Sequence, residues 1–214
     1  MSERHFSPID HIIDNLDQGL RTIFGKPEIT ERLNPAQDLD EPELSDSEKA
    51  LSARLMRINH AGEIAAQALY QGQALTARNS SVKEQMQRSA QEENDHLDWC
   101  DSRLQELDSH TSYLGPFWYV GSLAIGAAAG VAGDKWSLGF VVETEKQVER
   151  HLQEHLETIS DNDTKSRAII EQMKADEIHH ATKASQAGGA PLPTPIKQMM
   201  KLTSKVMTKT AYWI

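Results

Sequence analysis

Glu93-Asn94-Asp95-His96 and Glu177-Ile178-His179-His180 spell one pattern twice, E-x-x-H. A lone glutamate precedes each at a matched distance: Glu63 stands 30 positions before Glu93, and Glu145 stands 32 before Glu177. Helical positions i and i+3 share a face, so Glu93 points with His96 and Glu177 with His180. The neighbours decide which face. Met86, Ala90, Glu93, Leu97, Cys100, Leu104 and Leu107 recur at helical spacing, as do Ile170, Met173, Glu177, His180 and Ala184. Val141, Val142, Glu145, Val148, Leu152, Leu156 and Ile159 form a third apolar stripe with one acid inside it, and Glu63 aligns with Asn59, Ala66 and Tyr70. A carboxylate on a buried face costs on the order of several kcal/mol unless it is paired or metal-bound.

Working outward, four long helices carry these stripes. The first starts at Ser45, where Ser45 and Glu48 make a capping-box pattern, and runs unbroken to Asn79-Ser80. The second starts near Ser81, with Ser81 and Glu84 as its capping pair, and ends about Ser109. The connection between them is short, which predicts antiparallel neighbours. The third spans Asp134 to about Ser160, and the fourth Thr164 to Ala187, closed by Gly188-Gly189. A short amphipathic helix over 7–24, capped by Ser7 with Pro8 following, precedes them. Residues 25–44, with Pro27, Pro35 and Pro42, read as a polar linker with no assigned chemistry. No segment alternates with period two. The class is all-α: an N-terminal helix and linker (1–44), then a bundle domain (45–214) that includes an apolar segment at 109–133 and a final amphipathic helix at 194–214.

One E-x-x-H on a helix is usually a solvated pair. Two of them on core stripes, each with its upstream glutamate, match the di-iron or di-manganese carboxylate bundle. The candidate metal ligands are Glu63, Glu93, His96, Glu145, Glu177 and His180. Four carboxylates and two neutral imidazoles balance two divalent cations, which sit roughly 3.5–4 Å apart in such sites. Oxygen and imidazole donors favour Fe or Mn over thiolate-loving metals. Glu143 falls on the polar face with Gln147 and Arg150 and is rejected, whereas Glu149 borders the stripe and stays a competitor to Glu145. Asp176 with His179 is a second acid–His pair, but the apolar stripe favours Glu177 with His180. Glu92 is off the His96 register and reads as surface. His60, three residues before Glu63, is placed to orient that glutamate. Tyr70 reads as core packing or a residue behind the ligands, His151 and His155 as surface or as supports behind the ligands, and Cys100 as a small buried hydrophobe.

Composition removes other classes. A formal net charge of −10 disfavours nucleic acid as a partner. The single cysteine excludes an intrachain disulfide and cysteine-based metal clusters. The first residues, Met1-Ser2-Glu3-Arg4-His5, lack a signal-peptide layout, which predicts a cytoplasmic protein.

Ser109–Gly133 contains no Asp, Glu, Lys or Arg. Its Pro116, five glycines and many alanines favour a buried or interfacial helix over a membrane span. The last helix repeats Lys197, Lys201, Lys205 and Lys209 beside Met199, Leu202, Val206 and Trp213, which suits docking on the bundle and contact with a membrane equally. The two segments together point to a lipid-soluble substrate.

Five stretches occur in one order: Arg57-Ile58-Asn59-His60-Ala61-Gly62-Glu63, Glu93-Asn94-Asp95-His96-Leu97, Pro116-x-Trp118, Glu145-x-x-Val148-x-x-His151 and Asp176-Glu177-x-x-His180. In this the chain resembles the demethoxyubiquinone hydroxylases of ubiquinone biosynthesis, over about residues 50–214. The resemblance implies a ferritin-like four-helix bundle and an O₂-dependent di-iron monooxygenase that hydroxylates the ring of a polyprenyl demethoxy-benzoquinone. It implies two iron ions per chain, one served by Glu63, Glu93 and His96 and the other by Glu145, Glu177 and His180, with Glu93 and Glu177 bridging and His151 behind them. It also implies NADH or another reductant, although no Gly-rich dinucleotide motif is present in the sequence. The implied partners are a membrane-embedded prenylated quinone and the bilayer surface, at the cytoplasmic face of the cell membrane. Contacts with other ubiquinone-biosynthesis proteins and an oligomeric state are compatible with it. The competing readings are a ferritin-like iron-storage protein and a non-catalytic helical membrane adaptor.

Overall fold

The computed structural model describes residues 8–214, which form seven α-helices: α1 (Pro8–Phe24), α2 (Asp46–Thr76), α3 (Ser80–Glu106), α4 (Gly115–Val131), α5 (Asp134–Thr158), α6 (Thr164–Gln186) and α7 (Thr194–Ala211). The expected Ser7 cap and the first five residues lie outside the described residues. Two antiparallel hairpins, α2–α3 and α5–α6, make the bundle. Between the hairpins, α3 and α6 meet only lightly.

The predicted start of α2 holds. Ser45 and Glu48 make both halves of a capping box, and Glu48 also accepts a 2.6 Å hydrogen bond from Ser160 Oγ, which ties α2 to the α5–α6 turn. The predicted start of α3 is corrected by one turn feature: Asn79, not Ser81, is the cap, its Oδ1 accepting from Ser81 N at 2.9 Å. Asparagine, like serine, accepts from the free N–H groups of a first turn. Gly188 ends α6 with φ of 100°, a backbone conformation that disfavours any other residue.

Two apolar plugs fill the bundle. Met56, Cys100, Leu104, Leu152, Ile170 and Met173 close one end. Tyr70, Met86, Leu138, Val141 and Ala184 close the other. The acids and histidines of the paired motifs lie between them along every helix.

The charge-free segment is α4, and it is a packing helix. At 17 residues it is about 25 Å long, short of the roughly 30 Å of a hydrocarbon core. No helix among the described residues is long and apolar enough to cross a membrane. Instead α4 lies along α2, backbone against backbone. A Cβ at Gly126 would overlap the Leu69 carbonyl, and one at Gly72 would overlap the Leu123 carbonyl. Small residues are what allow helices to approach this closely, so the Gly/Ala content serves the α2–α4 contact. α1 reaches α4 where Gly19 meets the Tyr119 ring, and α7 packs Met207 and Ala211 against Trp118 and Ile58. Helices α1, α4 and α7 thus share the outer side of α2.

Gly126→Val should lower stability by about 1–3 kcal/mol in urea unfolding, the usual cost of overpacking. Gly121→Ala, where an added Cβ meets nothing within 4 Å, should be neutral or slightly stabilising. Equal tolerance of both substitutions would contradict the α2–α4 contact.

Candidate metal centre

Each bundle helix contributes from its middle. Glu63 comes from α2, Glu93 and His96 from α3, Glu145 from α5, and Glu177 and His180 from α6. All six are at most 2% exposed. Their candidate ligand atoms form two overlapping groups, Glu63–Glu93–His96–Glu177 and Glu93–Glu145–Glu177–His180, with the atoms of each group within 4.8 Å of one another. Glu93 and Glu177 belong to both.

The two shared acids face both imidazoles. Glu93 Oε2 lies 3.0 Å from His96 Nδ1, and its Oε1 lies 3.2 Å from His180 Nδ1. Glu177 sets its two oxygens 3.7 Å from the same two nitrogens, one each. Glu63 Oε2 is 3.4 Å from His96 Nδ1, on one side only. Glu145 is on the other side, where Tyr70 donates its hydroxyl to Glu145 Oε1. The Tyr70 ring meets His180 edge-on at 6.1 Å.

Sequence reasoning missed the residues behind the imidazoles. Asp176 Oδ2 lies 2.9 Å from His96 Nε2, and Glu92 Oε2 lies 2.7 Å from His180 Nε2. Each acid immediately precedes a motif glutamate and reaches the histidine of the other motif. Glu92 is therefore not a surface residue, as its register suggested: the length of its side chain carries it across the α3–α6 interface. The signal was legible as acid-Glu-x-x-His occurring twice, but only the crossing of helices explains the exchange. A carboxylate on Nε2 fixes that nitrogen as the donor and leaves Nδ1 free to bind a cation.

Other candidates fall away from the cluster. Glu143 pairs with Lys197 at 3.0 Å, Glu149 is half-buried outside the cluster, and His179 is exposed. His60 is buried but forms no hydrogen bond to Glu63: its Nδ1 has no partner, and burial without a partner pushes its pKa down to about 4. His151 lies against His155, ring centroids 4.1 Å apart and tilted by 59°, instead of contacting the six residues by a hydrogen bond or ion pair.

The electrostatics of the cluster are those of crowded acids. Burial pushes Glu63 up to about 8 and raises Glu145 and Glu177. Burial opposes the charge on Glu93 too, yet His96 and His180 on either side hold it well below the carboxylate range. Burial likewise disfavours charge on the imidazoles, and the surrounding carboxylates outweigh it and raise both. Among the described residues no Lys or Arg pairs with these six, so their counter-charge is protons on the imidazoles and carboxyls. Glu93 Oε1, Glu145 Oε2, Glu177 Oε2 and His180 Nδ1 are buried without a hydrogen bond of acceptable geometry. These are oxygen and imidazole donors turned toward one another, a set that fits a pair of divalent cations.

The same chain, compared with known proteins, matches the family described as ubiquinone biosynthesis protein COQ7 over residues 50–211. The chain belongs to this family. Among curated COQ7-type relatives, a "3-demethoxyubiquinol 3-hydroxylase" of Nitrosococcus oceani is 60% identical over all of both chains. Proteins of the same name from Nitrosomonas eutropha and Coxiella burnetii are 55% and 51% identical, covering 96% and 100% of this chain and 99% of each relative. Among solved structures, a dodecameric thioferritin of Bacteroides fragilis superposes with a TM-score of 0.55 at 19% identity, covering 78% of this chain and 94% of that one. That likeness shows a ferritin-like bundle, the fold the sequence implied.

Tyr70→Phe keeps the apolar ring in its plug and removes the donor to Glu145. Unfolding of the chelator-treated variant in urea should show a loss of about 1–3 kcal/mol, the cost of leaving a buried acceptor unpaired. A loss below about 0.5 kcal/mol would mean that Glu145 does not depend on this hydrogen bond.

Proposed function

We propose that this chain is a di-iron monooxygenase that carries out the 3-demethoxyubiquinol 3-hydroxylase reaction, adding a hydroxyl to the ring of a polyprenyl demethoxy-benzoquinol. The observation that carries the reading is the pair of shared acids, Glu93 and Glu177, each facing both imidazoles, in a chain 60% identical to a relative of that name. Glu63 and His96 would hold one iron, Glu145 and His180 the other, and Glu93 and Glu177 both. When bound, the iron pair supplies activation of O₂, so that one oxygen enters the ring and the other leaves as water with two electrons from NADH or another reductant.

The chain's own part is placement and exclusion. Asp176 and Glu92 orient the imidazoles, Tyr70 steadies Glu145, and the two apolar plugs keep bulk water from the centre. A narrow cleft between α2 and α5, lined by Leu69, Tyr70, Phe140 and Val141, reaches Glu145. It has room for no more than about one water molecule, so a ring on a prenyl tail would need these side chains to move apart to reach the centre.

Support for a membrane-bound substrate comes from the layer over α2. Leu16, Leu20 and Phe24 of α1, Phe117, Val120 and Ile125 of α4, and Leu202 and Val206 of α7 are exposed. Lys201, Lys205 and Lys209 are exposed on α7 beside that apolar row. A face with this chemistry suits peripheral attachment to an anionic bilayer, on the cytoplasmic side of the cell membrane. It suits a soluble iron-storage cage poorly.

Deletion of the gene should deplete ubiquinone and accumulate the demethoxy precursor by mass spectrometry. Wild type should restore the quinone profile and Glu177→Ala should not. Purified wild type should carry two irons per chain by elemental analysis and Glu93→Ala fewer than one. An intact quinone pool in the deletion strain, or iron-free wild type after loading, would refute the assignment. Replacing Phe117 and Ile125 by Asp together should weaken co-sedimentation with phosphatidylglycerol vesicles by at least about tenfold at unchanged helix content. Undiminished binding would place the lipid contact elsewhere.

A further inference from the structure

The linker at 25–44, which carried no assigned chemistry in the sequence, crosses the seam between the two E-x-x-H helices. Thr30 donates its N–H and its hydroxyl to Asp95 of α3 at 2.6 and 2.7 Å. Arg32 Nε contacts the same Asp95 at 2.6 Å, and its Nη1 contacts Asp176 of α6 at 2.6 Å. Its Nη2 donates to the Glu92 carbonyl at 3.2 Å. The guanidinium lies 5.1 Å from the Trp99 ring, which in turn packs 5.3 Å from His96. Further along, Glu41 pairs with Arg103 at 2.7 Å and the Asp40 carbonyl accepts from Thr164, so the strand of chain is docked on α3 and α6 at both ends.

Two features make Arg32 more than a surface tie. α3 and α6 pack lightly on one another, so a bidentate bridge between them matters more than it would within a hairpin. The support of the two imidazoles is also unequal. Glu92, behind His180, is held from its own helix by Arg88 at 3.0 Å. Asp176, behind His96, accepts from Gln172 of its own helix at 3.0 Å and is held from the linker as well, by the charged Arg32.

We propose that Arg32 is a positioning residue: through Asp176 it fixes the His96 imidazole, and by gripping Asp95 and Asp176 together it couples docking of the N-terminal linker to cation affinity on the His96 side of the centre. The inference rests on the two-metal reading above. A planar fork with several N–H donors spans two carboxylates, which the point charge of a lysine does not.

The test is a Co(II) titration of chelator-treated full-length protein, followed by visible absorption and metal counting. Wild type should bind two Co(II) per chain. Arg32→Gln should weaken one of the two by about 10–100-fold, the usual effect of losing a partner behind a ligand, and leave the other within about threefold. Arg32→Lys should not rescue it. The double variant Arg32→Gln with Asp176→Asn should bind no more weakly than Asp176→Asn alone, since both act on one imidazole. Arg21→Gln, which removes a linker-proximal cation paired with Asp17, should match wild type. The inference is overturned if Arg32→Gln keeps both affinities, weakens both equally, or adds fully to Asp176→Asn. If Arg32→Gln does not fold, Arg32→Lys gives the same readings by the same criteria. A wild type that binds fewer than two Co(II) sinks the two-metal reading itself and the inference with it.

Discussion

Six ionisable side chains are packed into the middle of a helical bundle with almost no access to water. Charges in that position cost far more than ordinary packing returns, unless each is matched by another charge, a proton or a cation. The rest of the architecture can be read as the means of meeting that condition. The bundle sets opposite charges at hydrogen-bonding distance, with Glu93 between two imidazoles. Asp176 and Glu92 then occupy the outer ring nitrogens. For Glu63 and Glu145 burial outweighs the neighbouring imidazole and pushes the carboxyl toward protonation. Such a centre is a reservoir of unfavourable energy that two divalent cations would relieve, which is why a fold built this way is suited to hold them tightly.

The second organising element is α2. It supplies Glu63 and Tyr70 on its inner face and a bed for α1, α4 and α7 on its outer face. Glycines on α2 and α4 let the two backbones touch, with Trp118 and Tyr119 of α4 packed inward and Phe117, Val120 and Ile125 left exposed. The same helix therefore connects a buried polar centre to an exposed apolar layer across the thickness of one helix.

Much of the centre was legible in one dimension. Helical period distinguishes a buried face from a solvated one, so the apolar stripes were enough to prefer Glu145 over Glu143 and Glu177 with His180 over Asp176 with His179. Capping chemistry located the start of α2 and glycine the end of α6, because both depend on residues within a few positions of each other. The largest error falls where a partner comes from another helix, and two smaller ones fall on local choices that spacing leaves open. Glu92 is off register on its own helix yet reaches His180 on α6. His60 has the right spacing to serve Glu63 and makes no bond with it. Asn79 displaced Ser81 as a cap because both residue types accept from a first turn and the sequence offers them two positions apart.

The paired acid-Glu-x-x-His motifs, their upstream glutamates and the order of apolar stripes were determined by sequence alone, since side-chain spacing along a helix is fixed by its 3.6-residue period. Which acid stands behind which histidine, and that Arg32 of an apparently featureless linker joins α3 to α6, were decided only by tertiary structure. Those contacts join residues up to 144 positions apart, and no local periodicity encodes the distance between two helix axes.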